Sequence, residues 1–214
     1  MRNFFVNKQF FYFCLWIGSL IIPQVFAQTQ TVTTSVRTAT NPVKVKTENF
    51  PKQIQVEGVK LALNGSGTRH KAIFKVYDMG LYTTSKVTTF QEAISTSGPI
   101  KLQFVALRDI STAEIGQLFY RGMKENATAD QNLRHMKSAL RMIEIASNKA
   151  ILSTGETFSM EFVPGKGLTF FVMDKPQGQP IGDAEFFGMV LGIWLGNIPA
   201  DYRLKDALLG LARS

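Results

Sequence analysis

Apolar and polar residues alternate over two stretches early in the chain, on either side of a glycine-rich segment. Residues 56–63 alternate in this way, which predicts a half-buried strand. Residues 64–68, NGSGT, contain two glycines that can take positive φ, so they predict a turn. Residues 70–82 predict a longer central strand that bends near 78–80. The pattern therefore places Arg69 just after the turn of a hairpin.

The rest of the pattern alternates between strands and helices. A short helix or irregular link is expected at 88–97, a strand at 100–107, and a hairpin with strands at 157–163 and 168–173. Residues 174–182, which contain two prolines, predict a loop. Helices are expected at 112–126, 130–148, 183–195 and 201–211. These elements predict an α+β fold.

The helical segments carry start signals and apolar stripes. Ser111 and Glu114 have the spacing of a capping box, and Asp183 is a good N-cap for an almost wholly apolar helix. That last helix is expected to be buried on most of its surface or to wall a cavity. In the second helix, a stripe at three and four spacing predicts core positions at Leu133, Met136, Leu140 and Ile143.

The N-terminus has the pattern of a secretory signal peptide. Arg2 and Lys8 precede an apolar run at 10–23, and the small-residue site Val25-Phe26-Ala27 follows it. We therefore predict a signal peptide over 1–27, with an uncleaved anchor helix as the alternative. Residues 28–53 are rich in Thr, Lys and Pro and predict a flexible leader, and one domain follows over 54–214.

Composition narrows the chemistry. The only cysteine, Cys14, lies within the predicted signal peptide, so the mature chain has no thiol for a disulfide, a metal or catalysis. Loss of Arg2 and Lys8 lowers the formal charge from +8 to +6, and this surplus is weaker than the clustered basic face of a nucleic-acid binder. We therefore expect no nucleic-acid partner, and membrane contact only during export.

Motifs for known chemistry are mostly missing from the sequence. His70 and His135 have no acidic residue at metal-motif spacing, so we expect no metal. There is no nucleophile elbow, Walker loop or dinucleotide fingerprint, and we expect no cofactor. A carboxylate for general acid–base catalysis would have to come from Asp78, Glu114 or Glu161, and their spacing in the sequence does not favour any of the three.

Several segments together resemble the bacterial chalcone isomerase-like family. They are the glycine-rich segment with its arginine (65–69), the strand ending KVYDMGLY (75–82), LRD (107–109) before a capped helix, and LGNIP (195–199) after the apolar helix. The resemblance covers roughly 55–209. It implies an open-faced sandwich, in which helices cover one face of a large antiparallel sheet. The cleft between them holds a flavonoid in the plant enzymes and fatty acids in non-enzymatic relatives.

The resemblance implies a binding site in which most polar residues of the plant enzymes are replaced. Arg69 is the candidate match for the arginine that steadies the substrate's oxyanion. Ile115, Leu118 and Gly122 stand where the enzymes have Tyr, Lys and Asn on the capped helix. Phe187 stands in place of a hydroxyl residue on the last apolar helix. These replacements make the cleft apolar and make cyclisation of chalcones improbable.

The remaining polar candidate is Tyr77, where the plant enzymes have a threonine. A guanidinium at the rim of an apolar cleft suits a ligand with an apolar body and an anionic head, and Tyr77 is a second donor for that head. In a straight strand Arg69 and Tyr77 would be roughly 26 Å apart, so they cooperate only if the chain folds back between them.

The sequence therefore favours an exported, periplasmic, non-catalytic binder of a fatty acid or similar small amphiphile. Its expected ligand contacts are Arg69, Tyr77, Ile115, Leu118 and Phe187. The alternative is a chalcone isomerase-like isomerase or lyase that acts on an unknown small molecule. A third possibility is an interaction module whose cleft is filled by core side chains. The sequence leaves the oligomeric state open.

Overall fold

Residues 50–147 and 150–211 are described by a computed structural model. They belong to one unit of the chain, Pro42–Ser214. The predicted signal peptide and nearly all of the predicted leader lie outside the described residues. At the leader's end, Phe50 is buried and β1 begins at Gln53.

Seven antiparallel strands form the main sheet, in the order β1-β2-β3-β4-β7-β8-β9. Its strands are β1 (Gln53–Val56), β2 (Val59–Lys71), β3 (Phe74–Thr83), β4 (Ile100–Ala106), β7 (Thr157–Val163), β8 (Gly167–Val172) and β9 (Lys175–Pro176). A second, two-stranded sheet pairs β5 (Ile110–Ser111) with β6 (Ile151–Leu152). The strand predictions at 100–107 and 157–173 are confirmed, whereas β5, β6 and β9 are too short to give a periodic signal.

Six helices are present in the described part of the chain. They are α1 (Phe90–Ser95), α2 (Thr112–Asn126), α3 (Ala129–Arg134), α4 (Met136–Ala146), α5 (Ala184–Leu195) and α6 (Tyr202–Leu208). The main core joins the sheet to the helices, and nearly every residue of α5 from Phe186 onward is buried in it. A smaller cluster around Phe50, Leu61 and Tyr82 forms a second core. The predicted α+β architecture, helices on a large antiparallel sheet, is confirmed. None of the helices described is long and apolar enough to cross a bilayer.

The glycine-rich segment 64–68 is not a turn, contrary to the sequence-based prediction. It lies inside β2, which continues to Lys71, and the chain reverses at Ala72 and Ile73 instead. The predicted strand at 56–63 is confirmed over 59–63, which begin β2. Its first residues are not part of that strand, because Glu57 and Gly58 take positive φ (50° and 76°) and join β1 to β2 as a two-residue turn.

Two of these glycines are needed because α6 lies directly against β2. A Cβ added at Gly65 would clash with the carbonyl oxygen of Ala207, and one at Gly67 would lie 2.7 Å from the Ala207 Cβ. The side-chain amide of Asn64 donates to the carbonyl oxygen of Leu208 at 2.7 Å. The glycines therefore permit close approach between backbones rather than a turn.

The start of α2 is predicted correctly, but its cap is not. Ser111 is the N-cap, yet its side chain makes no capping hydrogen bond. Glu114 instead forms ion pairs with Lys71 (3.1 Å) and Arg108 (3.6 Å). The local pattern predicts that the Glu114 carboxylate bonds to the start of the helix, but Lys71 and Arg108 bind it instead.

The predicted helix at 130–148 is divided into α3 and α4 at His135. The His135 Nε2 lies 2.8 Å from a carboxylate oxygen of Glu185 on α5, which holds the break in place. The predicted core stripe is wrong at three of its four positions, because Leu133, Met136 and Leu140 are 72%, 53% and 59% exposed, whereas Ile143 is half-buried. The buried residues of α4 are instead Ala139, Met142 and Ile145. Helix α4 carries apolar residues on two adjoining faces, and contacts with the rest of the fold decide which face is buried.

Candidate ligand-binding site

Arg69 and Tyr77 are direct neighbours across the β2–β3 hairpin. The reversal at Ala72 and Ile73 places them opposite each other in the strand register. A register shift just after Arg69 bulges the hairpin at this point. The Arg69 Cζ lies 5.6 Å from the centroid of the Tyr77 ring, within range of a cation–π interaction. The fold-back that their cooperation requires is therefore present.

Arg69 is buried, whereas the sequence-based expectation placed it at a rim. The residue is 7% exposed, and its Nε has no hydrogen-bond partner. In the part of the chain that the structure describes, no carboxylate forms a salt bridge with it. A buried guanidinium without an anion is energetically costly, so this position is prepared for a negatively charged partner.

Tyr77 supplies a hydroxyl donor beside Arg69. The indole Nε1 of Trp194 donates to the Tyr77 hydroxyl oxygen at 2.7 Å, which leaves the proton of that hydroxyl free to donate elsewhere. Burial raises the pKa of Tyr77 to about 12, although the nearby Arg69 charge acts in the opposite direction. The hydroxyl thus stays protonated near neutral pH and serves as a donor rather than as a base.

A cavity of about 280 Å³, hereafter cavity 1, opens beside this pair between the sheet and the helices. Arg69 and Tyr77 line it together with Trp194 of α5. Its apolar wall also comes from Val76, Ile110, Ile115, Leu118, Phe119, Gly122, Phe158, Ile193, Ile198, Pro199 and Ala200. The further charged residues Glu114, Arg121 and Glu125 complete the lining. Cavity 1 therefore combines one buried cation with a mostly apolar interior.

The predicted site residues separate into two groups. Arg69, Tyr77, Ile115 and Leu118 all line cavity 1. Phe187 lines neither this cavity nor the next one, because its ring stacks on Phe162 in the core, with centroids 4.4 Å apart. In this structure Phe187 is a core residue.

A second cavity of about 330 Å³, hereafter cavity 2, lies next to the first. The two share three lining residues, Ile115, Phe119 and Phe158. The rest of its wall comes from Thr112, Ile145, Ala146, Leu152, Phe170, Phe171, Val172, Met173, Lys175 and Gln177. Its lining is again mostly apolar, and its cation, Lys175, is on the exposed edge strand β9.

Comparison with known proteins agrees with this architecture. A family model described as chalcone isomerase-like matches residues 42–210. The chain belongs to the chalcone isomerase-like family. Curated protein sequences contain no significant match to it. The crystal structure of a fatty-acid binding protein from Arabidopsis thaliana matches with a TM-score of 0.61 at 13% sequence identity, over 77% of this chain and 94% of that one. At this identity the likeness shows the fold alone.

The three carboxylates considered for acid and base chemistry are separately engaged in this chalcone isomerase-like chain. The Asp78 carboxylate accepts a 2.5 Å hydrogen bond from the Thr68 hydroxyl, and burial raises its pKa. Glu161 is paired with Lys101 at 2.8 Å. Only Glu114 of the three lines cavity 1, where two cations already bind it. The geometry brings no pair of these carboxylates together at Arg69.

Trp194 is the residue of this chalcone isomerase-like site that sequence reasoning did not include. It contacts Phe119 and Phe104 through its ring and Tyr77 through its indole nitrogen. A usable signal is present in the sequence, because Trp194 carries the only side-chain hydrogen-bond donor of the apolar run 186–195. A buried indole N–H usually has a partner, so that run had to meet a polar group somewhere.

Proposed function

We propose that this protein binds a fatty acid or a similar small amphiphilic anion and does not convert it chemically. The observation that carries the proposal is the buried, unpaired guanidinium of Arg69 at an apolar cavity, with the Tyr77 hydroxyl beside it. The carboxylate lies at Arg69 and Tyr77, and the acyl chain lies along the apolar lining of cavity 1. The fatty-acid binding function of the plant protein with the same fold supports this assignment.

A bound carboxylate supplies the charge that Arg69 lacks. Arginine can donate two parallel hydrogen bonds to a carboxylate, and a hydrogen bond to a charged group contributes on the order of 1.5 to 3 kcal/mol. The Tyr77 hydroxyl, already accepting from Trp194, donates a further bond to the same group. An oxyanion is thus matched by donors that otherwise remain unsatisfied.

The acyl chain contributes the larger part of the affinity. Each buried methylene stabilises the complex by about 0.8 kcal/mol, so a few methylenes against Ile115, Leu118 and Phe119 equal the head-group contribution. The ligand class is therefore one with an apolar body and a single anionic head, rather than a small polar acid.

The pKa of Tyr77 favours binding over isomerisation. An isomerase or lyase acting at this site needs a group beside Arg69 that exchanges protons near neutral pH. Tyr77, with a pKa of about 12, retains its proton there. Its chemistry suits a constant hydrogen-bond donor.

The binding proposal is tested by titrating the delipidated protein with laurate in a calorimeter. Wild type is expected to bind laurate and to bind methyl laurate weakly, since the ester has no charge for Arg69. Arg69→Ala is expected to weaken laurate binding by about tenfold to hundredfold. Arg203→Ala, at an exposed arginine of α6, is the matched control and should leave affinity unchanged. The proposal fails if laurate does not bind to wild type, or if the two arginine variants bind it equally.

We also propose that the protein is exported and acts in the periplasm of a Gram-negative host. The N-terminal order of charge, apolar run and small-residue site supports this. Cell fractionation and the intact mass of the recovered protein test it. The expected product lacks residues 1–27 and is found in the periplasmic fraction, and full-length protein in the cytoplasm contradicts export.

A further inference from the structure

The two cavities share part of their wall. Ile115 and Phe119 come from α2, and Phe158 comes from β7 in the sheet, and all three line both spaces. These residues belong to opposite layers of the fold, so the shared wall is built from both a helix and the sheet. These three side chains are hereafter called the partition.

The partition is apolar and has no directional bonds to hold it. The ring of Phe158 stacks on Phe104 with centroids 4.1 Å apart and an angle of 3°, and Phe119 meets Trp194 edge to face at 5.7 Å. Ile115 and Phe158 are only half-buried. An acyl chain that replaces these contacts breaks no hydrogen bond of the partition, because Ile115, Phe119 and Phe158 have no polar side-chain atoms.

We propose that cavity 2 holds the distal end of long acyl chains and is their tail compartment. The partition of Ile115, Phe119 and Phe158 separates it from cavity 1, which holds the head group and the first methylenes. This rests on the proposed function, because it takes the carboxylate to be at Arg69. A short chain ends in cavity 1, whereas a long chain displaces the partition and continues against Ile145, Leu152 and other apolar residues of cavity 2. The ligand class thereby includes long-chain fatty acids.

The proposal predicts a particular dependence of affinity on chain length. Each methylene that leaves water for an apolar cavity strengthens binding about fourfold. With cavity 2 available, this gain continues beyond the length at which cavity 1 is full. With cavity 2 filled, the gain stops at that length while shorter acids bind as before.

The test is a calorimetric series of octanoate, decanoate, laurate, myristate and palmitate against wild type and two variants. Ala146→Phe and Val172→Phe each add a ring to a residue that lines cavity 2 but not cavity 1. Val163→Phe is the matched control, since this half-buried valine on β7 lines neither cavity. The unfolding midpoint of each variant is measured beside its affinities, and using two positions guards against one that does not fold.

For the two cavity 2 variants, we expect unchanged binding of the shortest acids that bind and at least tenfold weaker binding of palmitate. The tail compartment is refuted if wild type binds the series but the cavity 2 variants weaken every length equally or none. If wild type binds no fatty acid at all, the proposed function itself fails.

Discussion

Replacing Arg69 with methionine should make the ligand-free protein more stable while removing its function. Methionine keeps an unbranched apolar stem but removes the buried Nε, which has no partner in the structure. An unsatisfied buried donor costs about 1 to 3 kcal/mol, and the charge adds to that cost. The cation–π contact with Tyr77, lost at the same time, is worth on the order of 1 kcal/mol. The net expectation is a gain of about 1 kcal/mol, or roughly 2 to 4 °C in Tm for a chain of this size.

Ligand should reverse this order of stability. At a laurate concentration one hundred times its Kd, binding stabilises wild type by about 2.7 kcal/mol. Arg69→Met, whose affinity is strongly reduced, should gain little at the same concentration. Wild type is thus expected to be the less stable protein without ligand and the more stable one with it.

Urea unfolding followed by circular dichroism measures both free energies of unfolding, after delipidation and then with added laurate. Arg203→Met is the control, because that arginine is exposed on α6 and should change neither value appreciably. The reasoning is refuted if ligand-free Arg69→Met loses more than about 1 kcal/mol. In that case the guanidinium supports the fold and is not held ready for an anion. Equal stabilisation of wild type and variant by laurate refutes it as well.

Three further predictions concern the scaffold and the donor beside Arg69. Gly65→Ala should destabilise the protein by more than about 2 kcal/mol, because the added Cβ clashes with the backbone of α6. Gly188→Ala should stabilise α5 by up to about 1 kcal/mol, because the nearest atom to the added Cβ is 3.8 Å away. Urea unfolding measures both changes. Tyr82→Phe removes a buried hydroxyl without a partner and should stabilise by about 1 kcal/mol. Burial disfavours the ionised phenolate and raises the pKa of Tyr82 from 10 to about 12, so in wild type the free energy of unfolding falls as pH rises from about 10 through 12. Between pH 9 and 12 it should fall less steeply in Tyr82→Phe, and an equal slope contradicts the assignment. Tyr77→Phe should weaken laurate binding by about tenfold in calorimetry without changing the profile between pH 6 and 9, and unchanged affinity excludes the hydroxyl as a donor.

Local patterns were sufficient for much of the fold. Helices α5 and α6 begin where Asp183 and Asp201 cap them, since each carboxylate accepts a backbone N–H within three residues. The late hairpin of β7 and β8 is also predicted correctly, because alternation and a Pro-Gly turn are properties of adjacent residues. Family resemblance then identified Arg69 and Tyr77 as candidates before any distance between them was known.

The sequence by itself determined where α2, α5 and α6 begin, the burial of α5 and the identity of the two polar candidates. Only the tertiary structure decided that Gly65 and Gly67 accommodate α6, since a glycine that needs positive φ and one that needs a close neighbour look the same in a sequence. The turn therefore lies beyond Arg69 rather than before it, and this displacement places Arg69 opposite Tyr77 and buries its guanidinium. The burial of Arg69 and its pairing with Tyr77 depend on contacts between residues far apart in the chain. For that reason the local sequence pattern predicts an anion-binding cavity but not its position.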